Sequence, residues 1–345
     1  MAQILKFTYP TGKIFIGICS DEGGDDFSAF DWPKYRAEIA TLPVHERVDY
    51  TIRRQVLWED HEVSSDELFQ RWQDIVNDYN ASDPEVGYNM PSDKLKAVCK
   101  ADGWKFGVNG CRAGWFYIGS QGSDIKYGIV KTIAELFDRF KNIAEVVIDI
   151  PIGLYDEGAQ ARSCDSLARK ALKPRGSTVF PAPVRPCLYA DTYEEACRIS
   201  ERLTGKKLSQ QAYNIFAKIR EVDELLQRDA SLRSVISEAH PELGFCMLNG
   251  GNPLLTKKKN SDGIAERLAL LKRYLEWAPQ LYEEATSQYA RQVLAKDDIV
   301  DAMMCLCIAQ APEREKETVP APVIHDGQGI EMAMHIFSPS QQTGD

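Results

Sequence analysis

Near the middle of the 345-residue chain a single charge interrupts an apolar run, Asp149 in Val146-Val147-Ile148-Asp149-Ile150-Pro151-Ile152-Gly153-Leu154. The first residues are β-branched and apolar, and Pro151 and Gly153 stop the run, which predicts a short buried strand ending in a sharp turn. A carboxylate in such a strand is costly unless it is paired or holds a metal. At the C-terminal end of a strand in an open α/β sheet it points into the crevice where ligands bind; the plainer alternative is an aspartate capping the turn. Other reactive groups lie further on. His240, in Glu238-Ala239-His240-Pro241-Glu242, suits a proton shuttle or ligand, or ordinary hydrogen bonding at a strand end. Asp297 and Asp301 are four apart and share a face of a predicted late helix, with Asp298 turned about 100° away, so these acids cannot all serve one site. Lys257-Lys258-Lys259 is either a solvated run or a grip on substrate. Cys305 and Cys307, two apart on the same helix, point to different faces and read as core thiols.

The elements that must position these groups follow from the pattern. Residues 104–109 form a strand, 110–113 a turn, and 114–119 and 126–130 two further strands. The Gly119–Asp124 segment (GSQGSD) has no helix after it, so it reads as a hairpin turn rather than a phosphate loop. Thr132 opens a helix, and the Asp149 strand follows. Three antiparallel strands, a helix and a central strand make the opening of an RNase H-like fold, a mixed α/β sheet with helices on both faces. Glu238 sits at the end of a predicted strand over 234–237. Residues 155–230 are a helical insertion, and 160–228 hold thirteen Lys/Arg against eight Asp/Glu. Residues 179–186 (VFPAPVRP) form an extended, proline-held wall or lid over the Asp149 crevice. Residues 332–337 read as an edge strand.

Bulk properties bound the function. The length suits two domains, divided near residue 95: 1–95 and 96–345. A net charge of −10 and 44% hydrophobic residues are unlike a protein that coats nucleic acid, so any such contact needs a local patch. The basic insertion is that patch, or else its cations are consumed by Asp165, Glu221 and Asp223. Nine cysteines, with no CxxC pair, predict reduced thiols, no structural zinc and a cytoplasmic location. No apolar run approaches the roughly 20 residues of a membrane span. Residues 90–102 form a polar linker with one helical turn over 95–99.

In the N-terminal part, residues 4–9 and 13–19 read as strands joined by a hairpin turn. Residues 21–31 read as a loop, 33–40 as a short helix and 51–59 as a third, basic strand. A helix runs from about 65 to 80, followed by Gly87-Tyr88-Asn89. Phe7-Thr8-Tyr9, Phe15-Ile16-Gly17, the basic strand and the closing Gly-Tyr-Asn resemble a GIY-YIG nuclease domain, a small α+β module. That resemblance implies Tyr9 as the catalytic tyrosine, one of Arg36, Arg53 or Arg54 as the phosphate-stabilising arginine, and a helical glutamate as metal ligand. The glutamate's place falls on Trp72, with Asp74 the nearest carboxylate, and Trp cannot ligate Mg²⁺. Residues 1–95 also hold only nine Lys/Arg against eighteen Asp/Glu. The domain therefore reads as degenerate or structural.

From residue 104 to about 340 the resemblance is to the predicted RNase H-like nucleases of the domain of unknown function 429 family. It is carried by Gly107-Val108-Asn109-Gly110-Cys111-Arg112-Ala113-Gly114-Trp115, Ile148–Leu154, Arg162-Ser163-Cys164-Asp165, Val179–Arg185, Lys218–Asp223, Glu238–Glu242 and Asp297–Ala302. The family implies a divalent-metal-dependent hydrolase of phosphodiester bonds that uses Mg²⁺ or Mn²⁺ held by carboxylates from separate strands and a late helix. The implied catalytic acids are Asp149, Glu238 and Asp298 or Asp301, with Asn109, Asp149, Glu238 and Asp298 as metal ligands. Asn109 departs from the aspartate such a fold places in its first strand, which weakens metal binding; Asp165 is a candidate to compensate. Arg162, Arg169, Arg175, Arg185, Lys218, Arg220 and Lys258 are the expected substrate-binding cations, with DNA or RNA as partner. Two alternatives stand beside this: a catalytically impaired protein that binds nucleic acid or a partner, and a hydrolase of a small phosphorylated metabolite.

Overall fold

The computed structural model describes residues 2–9, 11–20, 24–26, 30–31, 34–35, 37–38, 52–60, 63, 65–89 and 103–339. It divides into two units, Met1–Ala101 and Asp102–Asp345. Arg36, Pro10 of the hairpin turn and the expected linker helix over 95–99 lie outside the described residues; of the expected 33–40 helix, residues 34, 35, 37 and 38 are described, and all four are helical.

The first unit is an antiparallel sheet with one long helix. β1 (Ala2–Thr8) pairs with β2 (Ile14–Ser20), Phe7 opposite Phe15, as the hairpin signal predicts. β3 (Gly24–Asp26) adds to β2 inside the stretch expected to be a loop. Its acidic composition hides it, because its pairing comes from β2 and not from its own propensity. β4 (Arg53–Asp60) pairs with β1, giving the order β3-β2-β1-β4. α1 (Ser65–Asp78) buries Trp72 and Val76 against Phe15, Ile16 and Tyr88. The Ile16 carbonyl accepts from the Trp72 indole at 2.9 Å and from Asn89 Nδ2 at 2.8 Å, while Asn89 Oδ1 accepts from Ile16 N at 2.8 Å. Trp72 and the closing asparagine are thus clamps of the core.

The second unit is a seven-stranded mixed sheet in the order β10-β11-β9-β8-β5-β6-β7. β5 (Trp104–Cys111), β6 (Gly114–Gln121) and β7 (Asp124–Val130) form an antiparallel meander. After α2 (Ile133–Arg139), β8 (Ile143–Asp149) lies parallel to β5. The insertion then supplies α3 (Ser163–Ala171), α4 (Tyr193–Thr204), α5 (Gln210–Tyr213) and α6 (Phe216–Arg228). β9 (Ile236–Glu238) is parallel to β8. α7 (Pro241–Leu248), α8 (Ser261–Leu271), α9 (Ala278–Gln288) and α10 (Lys296–Gln310) precede β10 (Lys316–His325) and β11 (Glu331–Phe337). β11 is interior, between β9 and β10, so the expected edge strand at 332–337 is one position in from the edge. The edge is β10, where Pro320 and Pro322 cost no ladder bond that a neighbour needs.

Alternation along the strands sends Phe116, Ile118 and Val147 to one face, under α7 to α10, and Phe106, Val108, Val146 and Ile148 to the other, under α2, α4 and α6. α10 is buried nearly all round, from Ile299 through Ala309, as expected of a helix at the centre of a large core. It lies against β5 at Gly107, where an added Cβ would sit 2.1 Å from both Ala302 O and Leu306 N. Two other ties matter for the site. Gly153, at φ +72° and with Glu331 O 2.3 Å from where a Cβ would stand, makes the turn after β8. Arg185 binds Asp223 with Nε at 3.0 Å, Asp326 with Nη2 at 2.5 Å and Asp156 with Nη1 at 3.1 Å, which ties the insertion to the β10–β11 turn.

Candidate active site

Parallel pairing of β5, β8 and β9 brings three polar residues to the C-terminal ends of adjacent strands. Asn109 is the register partner of Asp149, and Ile148 is that of Glu238. The N-terminus of α10 arrives opposite β5, so that Asn109 Nδ2 donates at 3.4 Å to both Asp298 O and Asp298 Oδ1. The second carboxylate oxygen of Asp298 caps its own helix, accepting from Ala295 N at 3.2 Å. Asp301 follows one turn later and is 1% exposed. Lys258, from the segment between α7 and α8, reaches in to Asp301 Oδ2 at 2.5 Å. These groups share a cavity of about 540 Å³ with Glu238, His240, Glu242, Arg112, Lys218 and Lys259.

The electrostatics follow from crowding acids into a desolvated space. Asp149 keeps some solvent contact, yet protein surrounds it, and this burial pushes it up to about 6 against the pull of Lys258, with Asp298 and Glu242 adding to the push. Burial, then Asp297 and Asp301, carry Asp298 up to about 7. Asp301 is pushed by burial to about 6, with Lys258 opposing and Asp149 adding. Burial works against the charge on Lys258, but Asp301 and Asp149 outweigh it and hold the ammonium protonated. Asp301 Oδ1 and His240 Nδ1 are buried and have no hydrogen-bond partner among the described residues. His240 Nε2 lies 3.4 Å from Thr178 O, and burial and Lys258 push its pKa down, toward the neutral imidazole.

Several expected roles change. Glu238 leaves the sheet beside Ile148 rather than beside Asp149. There it is 3% exposed and gripped by Arg162, with Nη1 at 2.7 Å and Nη2 at 2.9 Å, and it accepts from Ile152 N at 2.7 Å. Arg162, expected to bind substrate, is 2% exposed and has spent its donors on Glu238, on Asp165 (2.6 and 3.2 Å) and on the Ile152 and Gly153 carbonyls. Both are struts of the pocket wall. Cys164, Asp165 and Glu238 have ligand atoms within 4.8 Å of one another, a donor set of metal size. The guanidinium already binds both carboxylates and supplies the positive charge, so Asp165 does not compensate for Asn109. Asp298 and Asp301 meet in the pocket while Asp297 lines a separate hollow, although the helical period alone pairs Asp297 with Asp301.

Among the expected substrate cations, Lys218 and Lys258 line the pocket, as does Arg175, whose Nη1 donates to Leu254 O at 3.1 Å and to Thr256 O. Lys218 lies 4.3 Å from the Trp115 ring centroid, its Nζ donates to Gly114 O at 2.6 Å, and burial pushes its pKa down. Arg185 and Arg220 lie elsewhere: the first is consumed by its three carboxylates, and the second donates to Leu188 O at 3.4 Å. Arg169 faces a neighbouring hollow. Sequence reasoning missed Arg112 and Glu242 as pocket residues, and of the Lys257–Lys259 run, read as solvated or as a grip on substrate, Lys258 and Lys259 line the pocket. Arg112, three residues beyond Asn109, carried the signal that would have found the first.

In the first unit Tyr9 is buried, its ring 5.2–5.4 Å from those of Phe30, Tyr35 and Tyr88. Burial, with Tyr35 and Tyr88 adding, raises its pKa well beyond that of a free tyrosine, opposite to what a base requires. Arg54 Nη2 lies 3.6 Å from Cys19 Sγ, and Arg53 is exposed.

Among the described residues no helix is long and apolar enough to cross a membrane. No curated protein and no solved structure matches the chain. The model of one family, described as protein of unknown function (DUF429), matches residues 107–324. Those limits take in Asn109, Asp149, Glu238, Asp298, Asp301 and Lys258, and they span more than half of the chain. The chain belongs to the DUF429 family.

Proposed function

We propose that the second unit is an RNase H-like, divalent-metal-dependent hydrolase of phosphodiester bonds, with Asp149, Asp298 and Asp301 as its acidic centre. The fold assignment is supported by the order β7-β6-β5-β8-β9, an antiparallel meander followed by two parallel strands with polar residues at their C-terminal ends. The observation that carries the activity is the surplus of acid in the pocket. Three carboxylates from β8 and α10 crowd one ammonium, and a buried oxygen of Asp301 has no hydrogen-bond partner among the described residues. Hard oxygen donors in that arrangement suit Mg²⁺ or Mn²⁺. A bound cation supplies neutralisation of phosphate charge and a more acidic water. Asp149, Asp298 and Asp301 would hold it, and Asn109 orients Asp298. Lys258 keeps Asp149 and Asp301 anionic. Lys218, Lys259 and Arg112 offer positive charge to a phosphate from the pocket walls.

The same Lys258 favours a second reading, in which its ammonium replaces the metal and the chain binds without cleaving. Calorimetric titration of the full chain with Mn²⁺ separates them. Binding that disappears in Asp149→Ala supports the hydrolase; no binding at millimolar Mn²⁺ in the folded wild type overturns it. The first unit fits a structural, GIY-YIG-like module, because Trp72 stands where the metal-binding glutamate is expected and is built into the core.

A further inference from the structure

Residues 166–190 hold five basic side chains and no acidic one, in a chain of net charge −10. Three of these, Arg169, Lys170 and Lys173, line a surface hollow of about 530 Å³ together with Gly176 and Ser177. The turn Gly176–Thr178 is the rim shared with the acidic pocket, which Arg175, Thr178, Val179 and Phe180 line from the other side. Arg169 is fixed at this seam, its Nη1 donating to Val179 O at 2.5 Å. Lys170 and Lys173 are exposed, and among the described residues neither has an ion-pair partner. Clustered uncompensated cations repel one another, and a polyanion laid across them offsets that cost. Phe180, an exposed aromatic at 38%, stands in the lining of the acidic pocket.

We infer that this cationic shelf receives the backbone phosphates of a single nucleic-acid strand whose reacting unit lies in the acidic pocket and whose adjacent base stacks on Phe180. The inference rests on the phosphodiester reading of that pocket and names its substrate class. A single strand is favoured over a duplex because the pocket, at about 540 Å³, has the volume of a small-ligand site and not of a duplex groove. An acidic peptide would use the shelf but has no base to place on Phe180.

The test is equilibrium binding by fluorescence anisotropy on the full chain, with labelled oligothymidylates of about three and about twelve nucleotides. EDTA is present, so neither metal nor cleavage enters the readout. Lys170→Glu/Lys173→Glu, and equally the double alanine variant, should weaken the longer strand and lower the slope of log K against log salt by about 1.4, two contacts at about 0.7 each. Phe180→Ala should weaken binding about tenfold, with Phe180→Trp retaining it. An unchanged salt slope in both double variants overturns the inference. So does tighter binding of a duplex of equal length, or displacement of the strand by polyglutamate at equal charge. A wild-type chain that binds Mn²⁺ through Asp149 but no single strand overturns the shelf and leaves the hydrolase standing.

Discussion

Removing Arg162 tests whether the pocket wall is held by charge. Arg162→Met keeps the aliphatic stem and deletes the guanidinium. Glu238 and Asp165, 3% and 1% exposed, are then left buried without their shared partner, and the Ile152 and Gly153 carbonyls lose a donor. Removing one side of a buried pair costs about 3–5 kcal/mol. With two carboxylates stranded, the upper half of that range is expected. For a domain the size of the second unit this lowers Tm by roughly 8–20 °C. The assay is calorimetric melting across pH. Even with Arg162 present, burial pushes Glu238 up to about 7. Without the guanidinium's opposing pull it rises further; a carboxyl raised in the folded state costs stability from its unfolded pKa of about 4.3 up to its folded value, so wild type and variant share this cost below about pH 7 and only the variant's goes on growing above it. The gap between variant and wild type should therefore widen above about pH 7 and level off below it, and Arg162→Met/Glu238→Gln should recover part of the loss. A Tm within about 2 °C of wild type, or a gap that does not change with pH, would refute this account of the wall.

Three other outcomes follow. Gly107→Ala forces a methyl into the backbone of α10 and should cost at least the ~1–3 kcal/mol of an overpacked core, read as a lower urea midpoint. Burial works to raise Asp326, but backbone N–H groups of Ile330, Leu154 and Gln328, together with Arg185, outweigh it and hold the carboxyl below its ordinary value. Such a group stabilises above its unfolded pKa of about 3.9 and loses that contribution as pH falls below it, so Asp326→Asn should flatten the acid limb of the stability curve and cost about 1–3 kcal/mol at neutral pH. Asn109→Asp adds a charge beside Asp298 and should tighten Mn²⁺ binding about tenfold by calorimetry while lowering the Tm of the metal-free chain; unchanged affinity would place the ion away from β5.

What the sequence discloses depends on how local the cause is. Asp149 is legible because a lone charge in a β-branched run has few explanations, and Asn109 because the family resemblance places an aspartate at that point of the first strand. The choice between Asp298 and Asp301 is not legible. α10 is buried on nearly every side, so its own periodicity cannot say which turn faces the pocket, and the two acids share it. The pairing of Arg162 with Glu238 joins residues 76 apart in the chain, and that of Arg185 with Asp326 joins residues 141 apart. The alternative in which Asp165 and Asp223 consume the insertion's cations holds for these two arginines, but the distant partners Glu238 and Asp326 appear only when the fold brings them in. β3 and β10 are hidden for a related reason, since acids and prolines speak against a strand whose bonds a neighbour supplies.

The missing side chain at Gly107 reaches further than its own packing. Strand and helix backbones touch there, with Asn109 two residues along the strand and Asp298 one turn back along the helix from Ala302. The spacing between those two positions is set by main chain against main chain, independent of which side chains occupy them. Substitution can therefore exchange a carboxylate for an amide at 109 without resetting the frame. The scaffold is intolerant of a single methyl group, and for that reason it is permissive toward changes of chemistry two residues away.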